Sequence, residues 1–520
     1  MNRKEEERKT MIQERTKSRM VEMALVVMAS MVLNIEGAKA AESGSSVGAP
    51  SKESKTDIEV RVANYRNEPV VMGYYFDQKM LVKDTVLTDA NGVAHFRHEE
   101  PYKEGLYILH FPKNGQLIDM MMPADQTFTV SCDTAKGAVE RMKIKGSKEA
   151  ETFLAYQQKM TNFTKENGKL RDEYKAAGGD QAKKNEVMEK SDRLTEEVKA
   201  FTEKTIAENK DNFISTFLTA LKDIEIPDFA YPETYTKAEI DSAKRVKSYY
   251  YYREHFYDNF NLTDDRLLRT PFFTGKVDRY FKETVPQMPD TVAAEAIRLI
   301  EKCRPNKEMF QFFVSTLYNM TNKSNIMGMD AALVALADKY YLSGEADWAD
   351  EKFLKELREQ VEDIRYTLVG LTAHDLKMPS ADGQWYRLHE VRAPYTILVF
   401  WEPSCGHCKK EIPKMNEVLW KKYQKYGVKI FAVYCQVDEK PWKEFIEEHN
   451  LDEWMNVWDP YGRTGYRKYY NIKSTPTIYV LDEHKKIIAK KLGVDQIDDY
   501  LAHMFGLPEP ERQETQTSAK

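Results

Sequence analysis

Cysteine is scarce in this chain of 520 residues: there are five, Cys132, Cys303, Cys405, Cys408 and Cys435. They are too few and too scattered to staple a small disulfide-rich scaffold. Only Cys405 and Cys408 stand close together, and no second Cys-x-x-Cys or His pair accompanies them, so a four-ligand zinc site is not expected. An excess of one charge is also lacking. With 77 basic against 83 acidic residues the net charge is −6, which argues against a nucleic-acid partner. Long apolar runs are missing as well. The stretch from Met23 to Leu33 is eleven residues, well short of the roughly 20 that span a bilayer.

What is present begins with a leader. A net positive run ending Lys17-Ser18-Arg19 precedes that short apolar stretch, and small residues come next in Ala38-Lys39-Ala40. This order reads as a cleavable signal peptide over 1–40, placing the mature protein in the periplasm or cell envelope. A Ser/Gly/Lys-rich linker occupies 41–55. The length suggests about three domains. Alternation at Ile58, Val60 and Val62, apolar runs such as GLYILHF (105–111), and the turn dipeptides Asn91-Gly92 and Asn114-Gly115 predict an N-terminal antiparallel β-sandwich over 56–145. Its His95, His98 and His110 lack metal-ligand spacing and read as ordinary histidines.

Helical periodicity takes over at about 146. Val187, Leu194, Val198 and Phe201 form an apolar stripe among Lys and Glu, and MFQFFVSTLYNM (309–320) and AALVALADKYY (331–341) are apolar enough to be internal. A central all-α domain is therefore expected over 146–366. Within it YYYYREHFYDNF (249–260) is dense in aromatics; a core or seam is the expectation there, with a peptide groove as the alternative. From 367 to 506 strands and helices alternate, which predicts a C-terminal α/β domain: strand 394–401, a helix from Cys405 to about Tyr426, strand 428–434, helix 441–449, strand 477–482, and a closing helix near 495–505. Residues 507–520 lack an apolar face and read as a disordered tail.

Chemistry concentrates in WEPSCGHCKKEIP (401–413). Cys405 falls where an apolar strand gives way to a helix, and the free N–H groups and dipole of a helix N-terminus favour a thiolate there. Cys408, one turn on, can close a small ring with it, and Lys409 and Lys410 add positive charge. Covalent haem attachment would need His directly after the second cysteine, where this chain has Lys409. Two inert buried thiols fit poorly with a Gly-containing polar turn. A redox dithiol that needs no metal or other cofactor is the reading that survives.

With those residues in view, the stretch from about 371 to 505 resembles a thioredoxin-fold domain of the TlpA/ResA-like exported thiol-disulfide oxidoreductases. The likeness rests on Trp401, the Cys405/Cys408 pair, Pro413 and Thr475-Pro476, with DGQWYRLHEV (382–391) similar to the hairpin this class places before its core strand. The β, helical, α/β layout resembles multidomain thioredoxin-like proteins of Bacteroidetes. The resemblance implies a cis proline at Pro476 and substrate contacts from Trp401, His407, Thr475 and Pro476. It also implies a role for Glu411 in thiol ionisation; a solvated helix carboxylate is the alternative. Two positions depart from the pattern: Val399 stands where thioredoxin has a buried Asp, and Ser404 where a tryptophan often precedes the pair.

Gly406-His407 matches the dipeptide of protein disulfide isomerase, and an imidazolium there would favour the reduced pair and hence an oxidant. The resemblance points instead to reduction of disulfide-containing envelope proteins by a membrane-bound electron donor. The direction stays open, leaning toward reduction. The alternative of another class is a non-catalytic envelope protein that binds peptide or glycan and uses the last domain as scaffold.

Overall fold

The computed structural model describes residues 55–508; the expected leader, the linker up to residue 54 and the tail from residue 509 lie outside the described residues. The chain forms two units. One comprises the described residues up to Val285 with Lys302–Met309, the other Pro286–Glu301 with the described residues from Phe310 onward. The helices of the 146–366 region are thus shared between the two.

In the first unit, strands β1 (Thr56–Val62), β2 (Pro69–Phe76), β3 (Lys79–Leu87), β4 (Val93–His98), β5 (Gly105–Phe111), β6 (Gln116–Met122), β7 (Gln126–Cys132) and β8 (Lys143–Lys145) make two four-stranded sheets, ordered β4-β1-β7-β8 and β3-β2-β5-β6. Alternation does the work expected of it: Ile58, Val60 and Val62 of β1 enter a core shared with Val70, Met72, Leu109, Phe111 and Ile118 of the other sheet. The β1 and β4 strands are joined in antiparallel register, Ile58 opposite Phe96 and Val60 opposite Ala94. Gly92 in the turn before β4 has φ +82°, and a Cβ there would lie 2.5 Å from the Val62 carbonyl oxygen, so both conformation and space demand glycine. One pairing departs from the antiparallel expectation. β1 and β7 run parallel, with Ile58 opposite Phe128, which is feasible because most of the sandwich intervenes between them and supplies the long crossover.

His95 faces Glu59 across β1 and β4, His98 Nε2 lies 2.7 Å from Asp84 Oδ2, and burial holds the His110 pKa below its ordinary value. Among the described residues no three His, Cys, Asp or Glu side chains gather as a metal site. The helices Lys148–Ala176 and Gln181–Glu208 pack together, with Tyr156 stacked on Phe201 at 5.6 Å. The predicted stripe is only half covered: Val187 is buried, whereas Leu194, Val198 and Phe201 are partly exposed. The aromatic-rich stretch divides. Tyr249 and Tyr250 are exposed on the helix Lys237–His255, which buries no residue, while Phe256, Tyr257 and Phe260 beyond its end are buried.

The second unit contains the helices Asp330–Leu336 and Glu351–Arg365 and then the α/β sheet. A hairpin of β9 (Lys377–Pro379) and β10 (Trp385–Arg387) precedes β11 (Tyr395–Trp401), β12 (Lys429–Tyr434), β13 (Met455–Trp458), β14 (Thr477–Asp482) and β15 (Ile487–Lys490). The five-stranded order is β13-β12-β11-β14-β15; β11, β12 and β13 are parallel, and β14 and β15 antiparallel to their neighbours. This is the thioredoxin-like fold.

Central β11 explains its own continuous apolar run. Ile397, Val399 and Trp401 enter the core on one face of the sheet, Leu398 and Phe400 the core on the other, so neither face can be polar. A buried lysine ties a helix to the sheet: Lys490 Nζ of β15 pairs with Asp330 and donates to the Thr367 carbonyl at 2.7 Å. At the far end Leu507, the first residue of the expected tail, donates its N–H to Ala502 O and packs on the core.

Candidate active site at the CGHC turn

β11 is held in register with β12 to its last residue, where the Cys435 N–H donates to the Trp401 carbonyl at 2.9 Å. The chain then turns sharply. The Cys405 N–H donates back to Glu402 O at 3.3 Å, and His407 is the residue before the helix Cys408–Met415. The helix therefore starts three residues later than the sequence predicts, because Cys405, Gly406 and His407 form the turn into it. It continues through a wide turn at Asn416–Trp420 to Tyr426, with Pro413 inside it.

This geometry separates the two thiols. Cys405 is partly exposed. Burial acts against its ionisation, but the Cys408 N–H, the Thr475 side chain, the Cys408 thiol and the His407 N–H together act for it more strongly, and its pKa lies below the ordinary thiol value. Cys408 is fully buried. Burial pushes its thiol up to about 12, against a lesser opposing pull from the Glu402 N–H. One sulfur is thus reachable and acidic, and the other is sealed and protonated.

The loop before β14 completes the mouth. The Thr475-Pro476 peptide is cis, and the Cys405 Sγ–H donates to the Thr475 carbonyl at 3.1 Å. Thr475 and Pro476 are partly exposed beside the sulfur, and His407, in the same turn, is exposed. The Cys408 and His407 backbone and the Thr475-Pro476 loop are therefore brought against Cys405.

Trp401 does not join them, and its expected substrate contact needs correction. It is fully buried, with its ring 5.0 Å from that of Phe445, because position 401 continues the inward face of β11 set by Ile397 and Val399. Glu411 Oε2 accepts from the Val494 N–H at 3.4 Å, at the start of the closing helix Val494–Met504. Val399 is buried in the core, so the place of the thioredoxin aspartate is filled by packing. Cys435 is a core thiol pushed up to about 11 by burial.

Sequence reasoning missed a polar group at the site. Glu402 Oε1 accepts from the Thr475 hydroxyl at 3.1 Å, and Oε2 accepts from Gln436 Nε2 at 2.9 Å. Gln436 Nε2 also donates to Ser404 Oγ at 2.7 Å. The one local signal was a carboxylate between Trp401 and Pro403, at the end of an apolar strand.

The region that holds this site is similar to known proteins. The AhpC/TSA family model matches residues 369–490. The thiol-disulfide oxidoreductase ResA of Geobacillus thermodenitrificans is 31% identical over 142 residues, covering 26% of this chain and 76% of the relative. The Bacillus cereus ResA is 27% identical over 136 residues, with the same coverage. Among solved structures, a domain of a possible thiol-disulfide isomerase from Cytophaga hutchinsonii is 37% identical, covers 27% of this chain and 94% of its own, and superposes with a TM-score of 0.26. Through the region that carries Cys405 and Cys408, the chain belongs to the ResA-like thiol-disulfide oxidoreductases.

Proposed function

We propose that the protein is an exported enzyme that exchanges disulfides with envelope proteins through Cys405 and Cys408. The observation that carries this is the opposed ionisation of the two thiols, Cys405 below its ordinary value and partly exposed, Cys408 buried and near 12. In the reducing direction the Cys405 thiolate attacks a substrate disulfide, forming a mixed disulfide and expelling one substrate thiolate. Cys408 then gives up its proton and attacks the Cys405 sulfur. That step releases the second substrate thiol and leaves a Cys405–Cys408 disulfide, two electrons having passed to the substrate. A membrane-bound donor restores the dithiol. Thr475 and Pro476 present a backbone edge on which a substrate strand pairs.

The test is a trap. Cys408→Ser should accumulate mixed disulfides that dithiothreitol dissolves, and Cys405→Ser should abolish both the adducts and insulin reduction. Absence of any thiol-sensitive adduct on Cys408→Ser sinks the reading. Equilibration with glutathione buffers checks the direction, a strongly oxidising potential being incompatible with a reductase.

A further inference from the structure

Three segments meet at Cys405: the turn after β11, the loop before β14, and the segment just beyond β12. One side chain joins all three. Glu402 leaves the end of β11 with its carbonyl accepting from the Cys405 N–H, while its carboxylate takes the Thr475 hydroxyl on one oxygen and the Gln436 amide on the other. The donors are neutral, and among the described residues no Lys, Arg or His forms an ion pair with this partly buried carboxylate. Hydrogen bonds to an ionised acceptor are the stronger kind and fix geometry. A carboxylate without a counter-charge is otherwise a poor choice for a half-covered position.

The consequence falls on Thr475. Its hydroxyl is tied to Glu402, and its carbonyl lies 3.1 Å from the Cys405 sulfur. One residue is thereby held at two points, and the partly exposed edge at Thr475-Pro476 is fixed in relation to the nucleophile. We infer that Glu402 is a positioning residue that clamps the Thr475-Pro476 loop at Cys405, and so governs how protein and peptide disulfides are presented to the thiolate rather than how reactive the thiolate is.

This inference rests on the exchange activity proposed above, and the experiment keeps the two apart. In full-length protein, Glu402→Ala should lower kcat/KM for a peptide disulfide by on the order of 10-fold, chiefly through KM, since a misplaced docking edge degrades alignment. The rate of Cys405 alkylation by iodoacetamide, and its pH profile, should stay as in the wild type. Thr475→Val leaves Glu402 in place and should give the same rise in KM, beside an upward move of the alkylation midpoint of its own because the Thr475 side chain also favours the thiolate. The double variant should raise KM no more than either single one, the signature of one shared contact. Glu402→Gln keeps one acceptor oxygen and should recover part of the loss.

Additive losses in the double variant would overturn the clamp, as would an alkylation midpoint that moves in Glu402→Ala, which would place Glu402 on thiol ionisation instead. Unchanged peptide kinetics in both single variants would also overturn it. If the wild type itself exchanges no disulfide, the proposed function fails and the clamp with it; if the wild type is active, only the clamp is at stake. Should Glu402→Ala not fold, Thr475→Val and Glu402→Gln carry the test.

Discussion

Both β regions of this protein end a strand next to a cysteine, and the two thiols have opposite fates. Cys132 closes β7 of the sandwich; burial, then the nearby Asp133, pushes it up to about 12. Cys405 comes after β11, and its pKa falls below the ordinary value. The residue type and the preceding apolar strand are alike. The segments beyond the two strands differ: β7 runs into a turn whose Asp133 carboxylate is engaged by Arg141, whereas β11 runs into a helix whose first N–H groups point at the sulfur. Thiol reactivity here is set by the backbone amides just past the strand, with the Thr475 and Cys408 side chains adding to them.

The sharpest way to break that comparison is alkylation of the folded, reduced protein at pH 7. A thiol with a pKa near 12 is ionised to roughly 1 part in 10⁵ at that pH, and one below 9 to more than about 1 part in 10². Cys405 should therefore react at least ~10³-fold faster than Cys132, before the added hindrance of burial. Peptide mapping of the alkylated protein gives the ratio. Comparable labelling of the two would mean that the sandwich thiol is not sealed.

A smaller effect lies in alkaline stability. Cys132 has a folded pKa raised from 9.0 to about 12, so the folded state keeps a proton that the unfolded chain releases. Its contribution is fully present below pH 9 and is lost as pH rises toward 12, at about 1.4 kcal/mol per pH unit. Cys435, raised to about 11, loses its smaller share between 9 and 11. Hydrogen exchange of the β7 amides at pH 9 and 10 should show this slope in the wild type and a shallower one in Cys132→Ala. Equal slopes would remove Cys132 as the cause.

Legibility in the sequence tracks the range of the interactions. The dithiol is legible because strand, Cys-x-x-Cys and helix are contiguous. β11 is legible because both its faces are buried. β13 and β15 are not: MNVW and IIAK are four residues each, too short for a period to register. Glu402 escapes notice because its partners lie 34 and 73 residues away in sequence. The family resemblance assigns Trp401 to substrate, whereas counting alternate positions back along β11 through Val399 and Ile397 places it inside. The division of the helical region has no sequence mark either, since Pro286–Glu301 belongs with the later unit through contacts and not through composition.

The smallest effect concerns helix caps, one in each unit. Asp438 accepts from the Lys440 N–H at 3.2 Å and starts the helix Glu439–Glu448, which buries Trp442, Phe445 and Ile446. Asp180 accepts from the Lys183 N–H at 3.1 Å and starts Gln181–Glu208, which buries only Val187 and Thr205. Replacing either by Ala should cost about 1 kcal/mol of local helix stability. The consequences should differ, because the first helix cannot fray without exposing its three core side chains, whereas the first turn of the second has nothing buried to lose. Hydrogen-exchange protection should therefore fall along all of 439–448 and in β12 for Asp438→Ala, but only over the first turn for Asp180→Ala. If Asp180→Ala loosened the whole of 181–208, that helix would depend on its cap far more than its sparse burial implies, and the contrast between a packed helix and a half-covered one would not hold.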